Sequence, residues 1–271
     1  MLVPPGYTAN ELEDNNFFTN LTQWNTWIGD TSAWEDCDSK YCFLSLPLSG
    51  SDDVYVSSKE GYTGFDDEYM NPSSLSTGAP GLIITAAKKP SMAPSGTQNY
   101  SAVSGTVNGY DKTFVDYGPT GCAYVQALIK MPNFPGAWGG FWMLGTNTSD
   151  EIDVIESGYT GNGPSNYDMA SNWHSGGAQV LYDTGINLTQ SFNTYGVQIC
   201  SGKNVTIYFT PGTSGTRIQV AQYTENIPVH EQWNILFDLQ VANANAAGWH
   251  TVWNGVSGGN MTIEQMQIYG K

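Results

Sequence analysis

Basic residues are scarce in this chain. Nine Lys and Arg stand against 25 Asp and Glu in 271 residues, so the formal charge is 9 − 25 = −16. Nucleic acids, anionic membranes and highly sulfated polymers all favour basic surfaces. We therefore expect neither nucleic acid nor a membrane as a partner, and we expect a neutral rather than a sulfated ligand.

Long apolar runs and long amphipathic helix patterns are also lacking. No stretch approaches the ~20 apolar residues that cross a bilayer as a helix, and the sequence shows no internal repeat, low-complexity tract or linker. The start, Met1–Gly6, lacks the basic residues and apolar stretch of a signal peptide. We expect a single domain over residues 1–271, and a mature chain if the protein is secreted.

Cysteine is rare, with four residues that allow three pairings. Cys37 and Cys42 are close in a polar segment and could close a small loop, while Cys122 and Cys200 each sit in a strand-like run and could bridge neighbours. The alternative is free buried thiols. Sequons for N-glycosylation weakly support a secreted glycoprotein, since chance alone produces several. They start at Asn20, Asn99, Asn147, Asn187, Asn204 and Asn260.

Turn-forming and aromatic residues are abundant, with 31 Gly, 9 Trp and 16 Tyr. Short runs with strand character recur between Gly, Pro and Asn, among them Leu82–Ala86, Ala123–Met131 and Trp233–Val241. Many short strands in one chain predict an all-β sandwich or barrel. The aromatic residues are expected both in the core and on a sugar-binding face.

One stretch of six residues, Glu-Ile-Asp-Val-Ile-Glu from position 151, carries three carboxylates and reads as a strand. Because strand side chains alternate, Glu151 and Asp153 share one face. Strict alternation would turn Glu156 into the core, where an unpaired carboxylate is costly. A β-bulge at Val154–Ile155 would return Glu156 to the face of the other two acids.

Three adjacent acids cannot all titrate alike, because like charges raise the pKa of at least one of them. A protonated acid beside an ionised carboxylate is what glycoside hydrolysis requires, with the two groups ~5–5.5 Å apart for retention and ~6.5–9.5 Å for inversion. The alternatives are an exposed acidic strand or a cation site. The acid clusters in Ser49–Asp53 and Asp66–Glu68 could likewise hold Ca²⁺. We expect no required cofactor and leave a structural Ca²⁺ open.

The stretch and its surroundings resemble glycoside hydrolase family 16 in its bulged E-x-D-x-x-E form. Cys122–Pro132 resembles the family's G-Y-V-E-A-R-I-K-M-P strand, Trp138–Leu144 its W-P-A-F-W-M-L strand, and Phe192–Val197 its F-H-T-Y-G-V segment. Met261–Tyr269 resembles the closing strand. The unbulged form belongs to lichenases and xyloglucan endotransglycosylases, so the resemblance disfavours those branches. Gly139-Gly140 departs from the family's Pro-Ala, which leaves the local loop shape open.

The resemblance implies a concanavalin A-like jelly-roll β-sandwich of two curved antiparallel sheets, with the substrate in a concave cleft. It also implies a retaining glycoside hydrolase that works by double displacement on internal bonds. In that mechanism Glu151 is the nucleophile, Glu156 is the general acid/base, and Asp153 assists by balancing proton and charge.

Five further residues are candidates for substrate binding. Trp138 stands just before the strand that precedes the acids, Trp142 lies near it, and Trp173 and His174 follow the acids by one loop. A neighbouring strand would bring His174 close to the acids, where it could hydrogen-bond a carboxylate or a sugar hydroxyl. Trp34 is a candidate for one end of the cleft. For the tryptophans the alternative is core packing, and for His174 it is a structural role.

The substrate expected from the resemblance is a neutral polysaccharide, with β-1,3-glucan and neutral galactan about equally supported. The negative charge disfavours carrageenan, and the short loop Gly145–Asp150 resembles the galactan-cleaving members. The alternatives are an agarase-type β-1,4-galactan hydrolase, a transglycosylase and a non-catalytic lectin-like domain, since fold alone implies no activity. We expect an extracellular monomer.

Overall fold

The computed structural model of the chain describes residues 1–9, 12–14, 18, 24, 68–70, 72–92, 99–109, 114–145 and 150–270. These residues form strands and two 3₁₀ turns, Pro72–Ser74 and Ala244–Ala246. In this part of the chain no helix has the length and apolar character needed to cross a membrane. The strands are β1 (Leu12–Asp14), β2 (Glu68–Met70), β3 (Leu75–Ser76), β4 (Leu82–Met92), β5 (Asn99–Ser104), β6 (Thr106–Asn108), β7 (Phe114–Val115), β8 (Cys122–Lys130), β9 (Ala137–Gly145), β10 (Glu151–Glu156), β11 (Asp168–Trp173), β12 (Val180–Asp183), β13 (Asn193–Cys200), β14 (Asn204–Thr210), β15 (Ile218–Tyr223), β16 (Trp233–Val241) and β17 (Gly259–Gly270).

The strands pair into two sheets. The larger runs β15-β14-β13-β8-β17-β4-β5-β2, with β1 beside β17 and β3 beside β4. The smaller runs β12-β11-β10-β9-β16-β6, with β7 beside β16. The pairs are antiparallel except β2 with β5. The prediction of an all-β protein with two antiparallel sheets is confirmed, and the acid stretch is an inner strand of the smaller sheet.

The core lies between the two sheets. It is built from alternate residues of each strand, which is why the inward positions are aliphatic or aromatic. Phe141 on β9 stacks on Phe237 on β16, with 4.8 Å between ring centroids, and both rings are fully buried. Val125 and Val197 of the larger sheet belong to the same apolar cluster. This packing holds the inner face of the smaller sheet against the core, so that its opposite face, which carries the acids, has a defined position.

A disulfide joins β8 to β13. Cys122 and Cys200 are direct partners in the ladder, and their sulfur atoms are bonded at 2.10 Å. The predicted pairing is confirmed for these two residues, and the free-thiol alternative is wrong for them. Cys37 and Cys42 fall outside the described residues, as does Trp34.

Removing this bond is expected to lower the free energy of unfolding. The two cysteines are 78 residues apart in sequence, and a loop of that length corresponds to about 4.5 kcal/mol of chain entropy in the unfolded state. A Cys122→Ala/Cys200→Ala variant should therefore unfold at a lower urea concentration than the oxidised parent. Reduction of the parent should reproduce the shift, whereas an unchanged midpoint would contradict the expected contribution.

Candidate active site

The acids lie on β10, and the predicted bulge is present. Across the β9–β10 ladder Asp153 pairs with Trp142 while Ile155 pairs with Phe141, so Val154 is the extra residue. The ladder with β11 shifts at the same place. The side chains of Val154 and Ile155 are both fully buried in the core. The bulge thus places two successive apolar residues inward, as the cost of burying Glu156 there predicted.

The bulge also shortens the separation of the acids across the sheet. Glu151 pairs with Leu144, Asp153 with Trp142, and Glu156 with Gly140. These three partners on β9 are two residues apart from one another. The acids are therefore placed like every second residue of a regular strand, although Glu151 and Glu156 are five residues apart in sequence. Partners in an antiparallel ladder face the same side of the sheet. All three carboxylates therefore point away from the core, onto one face of the smaller sheet.

The carboxylates are buried rather than exposed. Glu151 is 1%, Asp153 3% and Glu156 9% accessible to solvent. An acidic surface strand would leave its side chains in water, so burial excludes that alternative. Burial of three acids on one strand is costly unless hydrogen-bond donors surround them.

His174 is one of those donors. It follows the last residue of β11, and its backbone N–H donates to the Glu151 carbonyl at 3.1 Å. Its Nε2 atom lies 2.9 Å from Asp153 Oδ2 and 3.6 Å from Glu151 Oε1. The same nitrogen lies 3.0 Å from the side-chain amide of Asn172. Nε2 donates to Asp153 when it carries the ring proton and accepts from Asn172 when it does not. The predicted contact between His174 and a carboxylate is therefore present.

Glu156 has two donors of its own. The indole N–H of Trp138 donates to Oε1 at 2.8 Å, and the hydroxyl of Tyr159 donates to Oε2 at 3.2 Å. Trp138 lies on β9 two residues before Gly140, the ladder partner of Glu156, and so faces the same side. Tyr159 follows Glu156 by three residues. Glu156 is thus held by an aromatic pair, whereas Glu151 and Asp153 are grouped around His174.

The two Glu156 donors belong to a cluster of aromatic rings, and three of its members were not predicted from the sequence. Trp249 lies with its ring centroid 5.3 Å from that of Trp138 and 5.1 Å from that of Tyr159. His250 lies 4.8 Å from Trp138. Tyr159, Trp249 and His250 occupy turns beyond β10 and β16, where neither periodicity nor a motif marks them. The nearest signal was the composition, rich in Trp and Tyr.

The other predicted substrate-binding tryptophans differ in placement. Trp142 pairs with Asp153 and lies on the carboxylate face, with 2% of its surface accessible. Trp173 pairs with Ile152 and is fully buried in the core, where its N–H donates to the Glu225 carbonyl at 3.0 Å. Its prediction as a cleft residue is wrong, because neighbouring residues of a strand face opposite sides and His174 occupies the cleft side. Subsite roles for Trp138 and Trp142 stay predictions.

A fourth acid lies on the same face. Asp238 on β16 pairs with Gly140, which on its other side pairs with Glu156. A Cβ at Gly140 would collide with the Asp238 carboxylate, so the glycine leaves space between the two acids. Gln240 donates to Asp238 at 3.4 Å, and both side chains are buried. Gly139 and Gly140, which replace the family's Pro-Ala, therefore continue β9 rather than form a loop.

A cation could be held by part of this group. One atom each from Glu151, Asp153 and His174 lie within 4.8 Å of one another, a spacing that fits a metal ion. Carboxylate oxygens and imidazole nitrogen suit several divalent metals. The hydrogen bond from His174 to Asp153 accounts for the same spacing without an ion.

One cavity among the described residues lies beside this group rather than on it. It measures about 420 Å³ and lies against the turn at Ser157–Gly158, which directly follows Glu156. Its other walls include Phe134, Pro164 and Asn166. We place the chemistry at the acids rather than in this cavity, because no carboxylate lines it and glycoside hydrolysis needs a pair of them.

His250 is expected to make stability fall in mild acid. The ring is 2% accessible, and burial lowers its pKa from the ordinary value of 6.5, although two backbone carbonyls act in the opposite direction. The unfolded chain therefore binds a proton at a higher pH than the folded chain does. The contribution of neutral His250 is complete above pH 6.5 and is lost as the pH falls toward the lower folded value.

Urea unfolding of the parent and of His250→Phe between pH 7.5 and 5 measures this contribution. We expect the parent to lose more unfolding free energy than the variant over that range. A His230→Gln variant is the control, because His230 is half exposed and bonds Asp116 outside the acid group. Equal pH slopes for the parent and His250→Phe would contradict the expectation.

Comparison with known proteins relates this site to a family. The sequence model of Glycosyl hydrolases family 16 matches residues 97–245, more than half of the chain. Two relatives from Rhizobium meliloti (strain 1021) match over most of it. The endo-1,3-1,4-beta-glycanase EglC is 26% identical over 89% of this chain, and the endo-1,3-1,4-beta-glycanase ExsH is 25% identical over 99%. The chain spans about half of their lengths, 48% and 57%.

Solved structures share the fold. An endo-beta-1,3-glucanase from Pyrococcus furiosus has a TM-score of 0.58 and 20% identity, covering 76% of this chain and 81% of that one. The catalytic domain of a laminarinase from Thermotoga petrophila RKU-1 has a TM-score of 0.60 and 18% identity, covering 76% and 84%. The predicted jelly-roll sandwich is thereby confirmed.

Proposed function

Because the chain belongs to glycosyl hydrolases family 16, we propose that it is a retaining endo-β-glycosidase whose nucleophile is Glu151 and whose general acid/base is Glu156. The observation that carries the proposal is the arrangement on β10. Three carboxylates share one face, and two different sets of partners hold Glu151 and Glu156. When two carboxylates in one site have different surroundings, their pKa values differ, so one can act as the nucleophile and the other as the acid.

In the first half of the reaction Glu151 attacks the anomeric carbon while Glu156 gives its proton to the leaving oxygen. The bond to the leaving sugar breaks, and a glycosyl ester forms on Glu151. The N–H of Trp138 and the O–H of Tyr159 then donate to the carboxylate of Glu156. These two hydrogen bonds stabilise the charge that Glu156 acquires as the proton leaves.

In the second half Glu156 takes a proton from water, which attacks the same carbon and releases Glu151 with net retention. Asp153 lies between the two on the ladder and bonds His174 at 2.9 Å. We assign it to balancing charge and proton as Glu151 changes from ion to ester and back. His174 orients Asp153, and at 3.6 Å from Oε1 it also limits the movement of Glu151.

The substrate we propose is a neutral β-glucan. Both Rhizobium meliloti relatives carry the name endo-1,3-1,4-beta-glycanase, and the solved structures with the same fold include an endo-beta-1,3-glucanase and a laminarinase. Together these names favour glucan over galactan. The charge of −16 and the buried acid Asp238 beside Glu156 disfavour sulfated or uronic polymers, because like charges repel. Together these observations favour β-1,3-linked or mixed-linkage glucan.

The test is reducing-end release from laminarin, mixed-linkage β-glucan, agarose, β-1,3-galactan and carrageenan. We expect activity on one or both glucans, with a mixture of oligomers early in the reaction and products that first appear in the β configuration by NMR. First products in the α configuration would refute retention, and activity on agarose or galactan alone would refute the glucan assignment. Binding without turnover on the whole panel would favour a lectin-like domain.

We further propose that the protein acts outside the cell. The Cys122–Cys200 disulfide supports this, because such bonds persist in oxidising compartments. Fractionation of the native host with an antibody to this chain tests it, and recovery only from the reducing cytosol would overturn it.

A further inference from the structure

His250 packs against both groups that hold Glu156. Its ring centroid lies 4.8 Å from that of Trp138 with the planes 34° apart, and 5.3 Å from that of Tyr159 at 68°. Trp138 and Tyr159 donate to different oxygens of Glu156. One buried ring is thus in contact with both of the side chains that donate to Glu156.

The position of this ring is fixed by the backbone on either side. Nε2 lies 3.0 Å from the carbonyl oxygen of Ser157, the residue that follows Glu156. Nδ1 lies 2.9 Å from the carbonyl oxygen of Thr251. A neutral imidazole donates through one nitrogen only, so one of these two contacts is a hydrogen bond in each tautomer.

The turn after Glu156 is shaped around His250. A Cβ at Gly158 would lie 2.6 Å from His250 Cε1, so only glycine fits there. The amide of Thr251 donates to the Gly158 carbonyl at 3.0 Å, and Tyr159 and His250 form an isolated antiparallel bridge. The segment carrying Tyr159 is therefore tied to the segment carrying His250.

We propose that His250 is a positioning residue for the general acid/base: it holds Trp138 and Tyr159 in the orientation from which both donate to Glu156. This inference rests on the proposed role of Glu156. Close packing against His250 leaves the rings of Trp138 and Tyr159 little freedom to tilt. The directions of the Trp138 N–H bond and the Tyr159 O–H bond in turn set the orientation of the Glu156 carboxylate. A general acid displaced by ~1 Å can lose about 10²-fold in rate.

The consequence is a defect confined to proton transfer. Cleavage of an unactivated polysaccharide needs the proton of Glu156 in its first step. Cleavage of a 2,4-dinitrophenyl oligosaccharide does not, because dinitrophenolate leaves without protonation. A misplaced Glu156 should therefore slow the first reaction and spare the burst of dinitrophenol that reports attack by Glu151.

The experiment compares the parent, His250→Phe and His250→Gln on the glucan that the parent cleaves and on the dinitrophenyl glycoside of the same sugar. Phe keeps a flat ring and loses both nitrogens, whereas Gln keeps a donor and loses the ring. For both His250 variants we expect kcat on the polymer to fall about 10- to 100-fold, the range expected for a misaligned general acid. We expect KM to change little and the dinitrophenol burst rate to match that of the parent. His230→Gln should match the parent in all three measurements.

If a variant loses both the dinitrophenol burst and polymer cleavage, the proposal is overturned, because the whole site is then damaged. Unchanged polymer cleavage would overturn it as well. Failure of both variants to fold, judged by thermal unfolding, would assign His250 to the fold rather than to Glu156. If the parent itself cleaves no polymer, the proposed function fails instead, so the two failures are distinguishable.

Discussion

Glu151→Gln is expected to abolish turnover on an unactivated glucan while leaving the fold intact. The amide cannot form the glycosyl ester, and loss of a nucleophile costs on the order of 10⁴-fold or more in kcat. The side chains have nearly the same shape, and the amide can still contact His174, which lies 3.6 Å from Oε1. Reducing-end release and thermal unfolding, measured on the same preparation, check both halves of the expectation.

The matched control is Glu264→Gln, which makes the same exchange at an exposed acid on β17 in the other sheet. It should retain full activity. Residual cleavage by Glu151→Gln above about one per cent of the parent would exceed what loss of a nucleophile allows. It would remove Glu151 from the role we assign.

Glu156→Gln should produce a different defect. Loss of general acid catalysis costs about 10²- to 10⁴-fold on the polymer. The dinitrophenyl glycoside should still react with Glu151, and the ester should then accumulate, because no base remains to activate water. Azide needs no general base, so its addition should release the ester and yield a β-glycosyl azide.

Product NMR and the dinitrophenol time course measure this behaviour. Azide rescue in Glu156→Gln but not in Glu151→Gln would separate the two roles with one reagent. An α-glycosyl azide from Glu156→Gln would contradict a covalent intermediate on Glu151, because a single displacement inverts the carbon.

The acid strand was predictable because its pattern is local. The spacing of acids and aliphatics in residues 151–156 fixed the strand, and the cost of burying Glu156 fixed the bulge. A contact of His174 with one of the carboxylates was also predicted, and the structure shows it at Asp153, because β11 pairs with β10 and His174 directly follows β11. The same alternation should have excluded Trp173, because adjacent strand residues cannot both face the cleft.

The rest of the site depends on register between distant strands. Asp238 and His250 lie 82 and 94 residues after Glu156 in sequence, since 238 − 156 = 82 and 250 − 156 = 94. They approach it only because β16 pairs with β9 and the chain then returns past Tyr159. No periodicity within β16 distinguishes a buried acid at position 238 from one facing solvent. Such contacts are a property of the sheet order rather than of any single segment.

The bulge at Val154 bears on how the two forms of this signature are related by descent. In the bulged form the three acids pair with every second residue of the neighbouring strand β9, namely Leu144, Trp142 and Gly140. In an unbulged E-x-D-x-E strand, simple alternation pairs the three acids with the same three positions of the neighbouring strand. Insertion or deletion of one inward-facing residue can therefore interconvert the two lineages without moving an acid off the face.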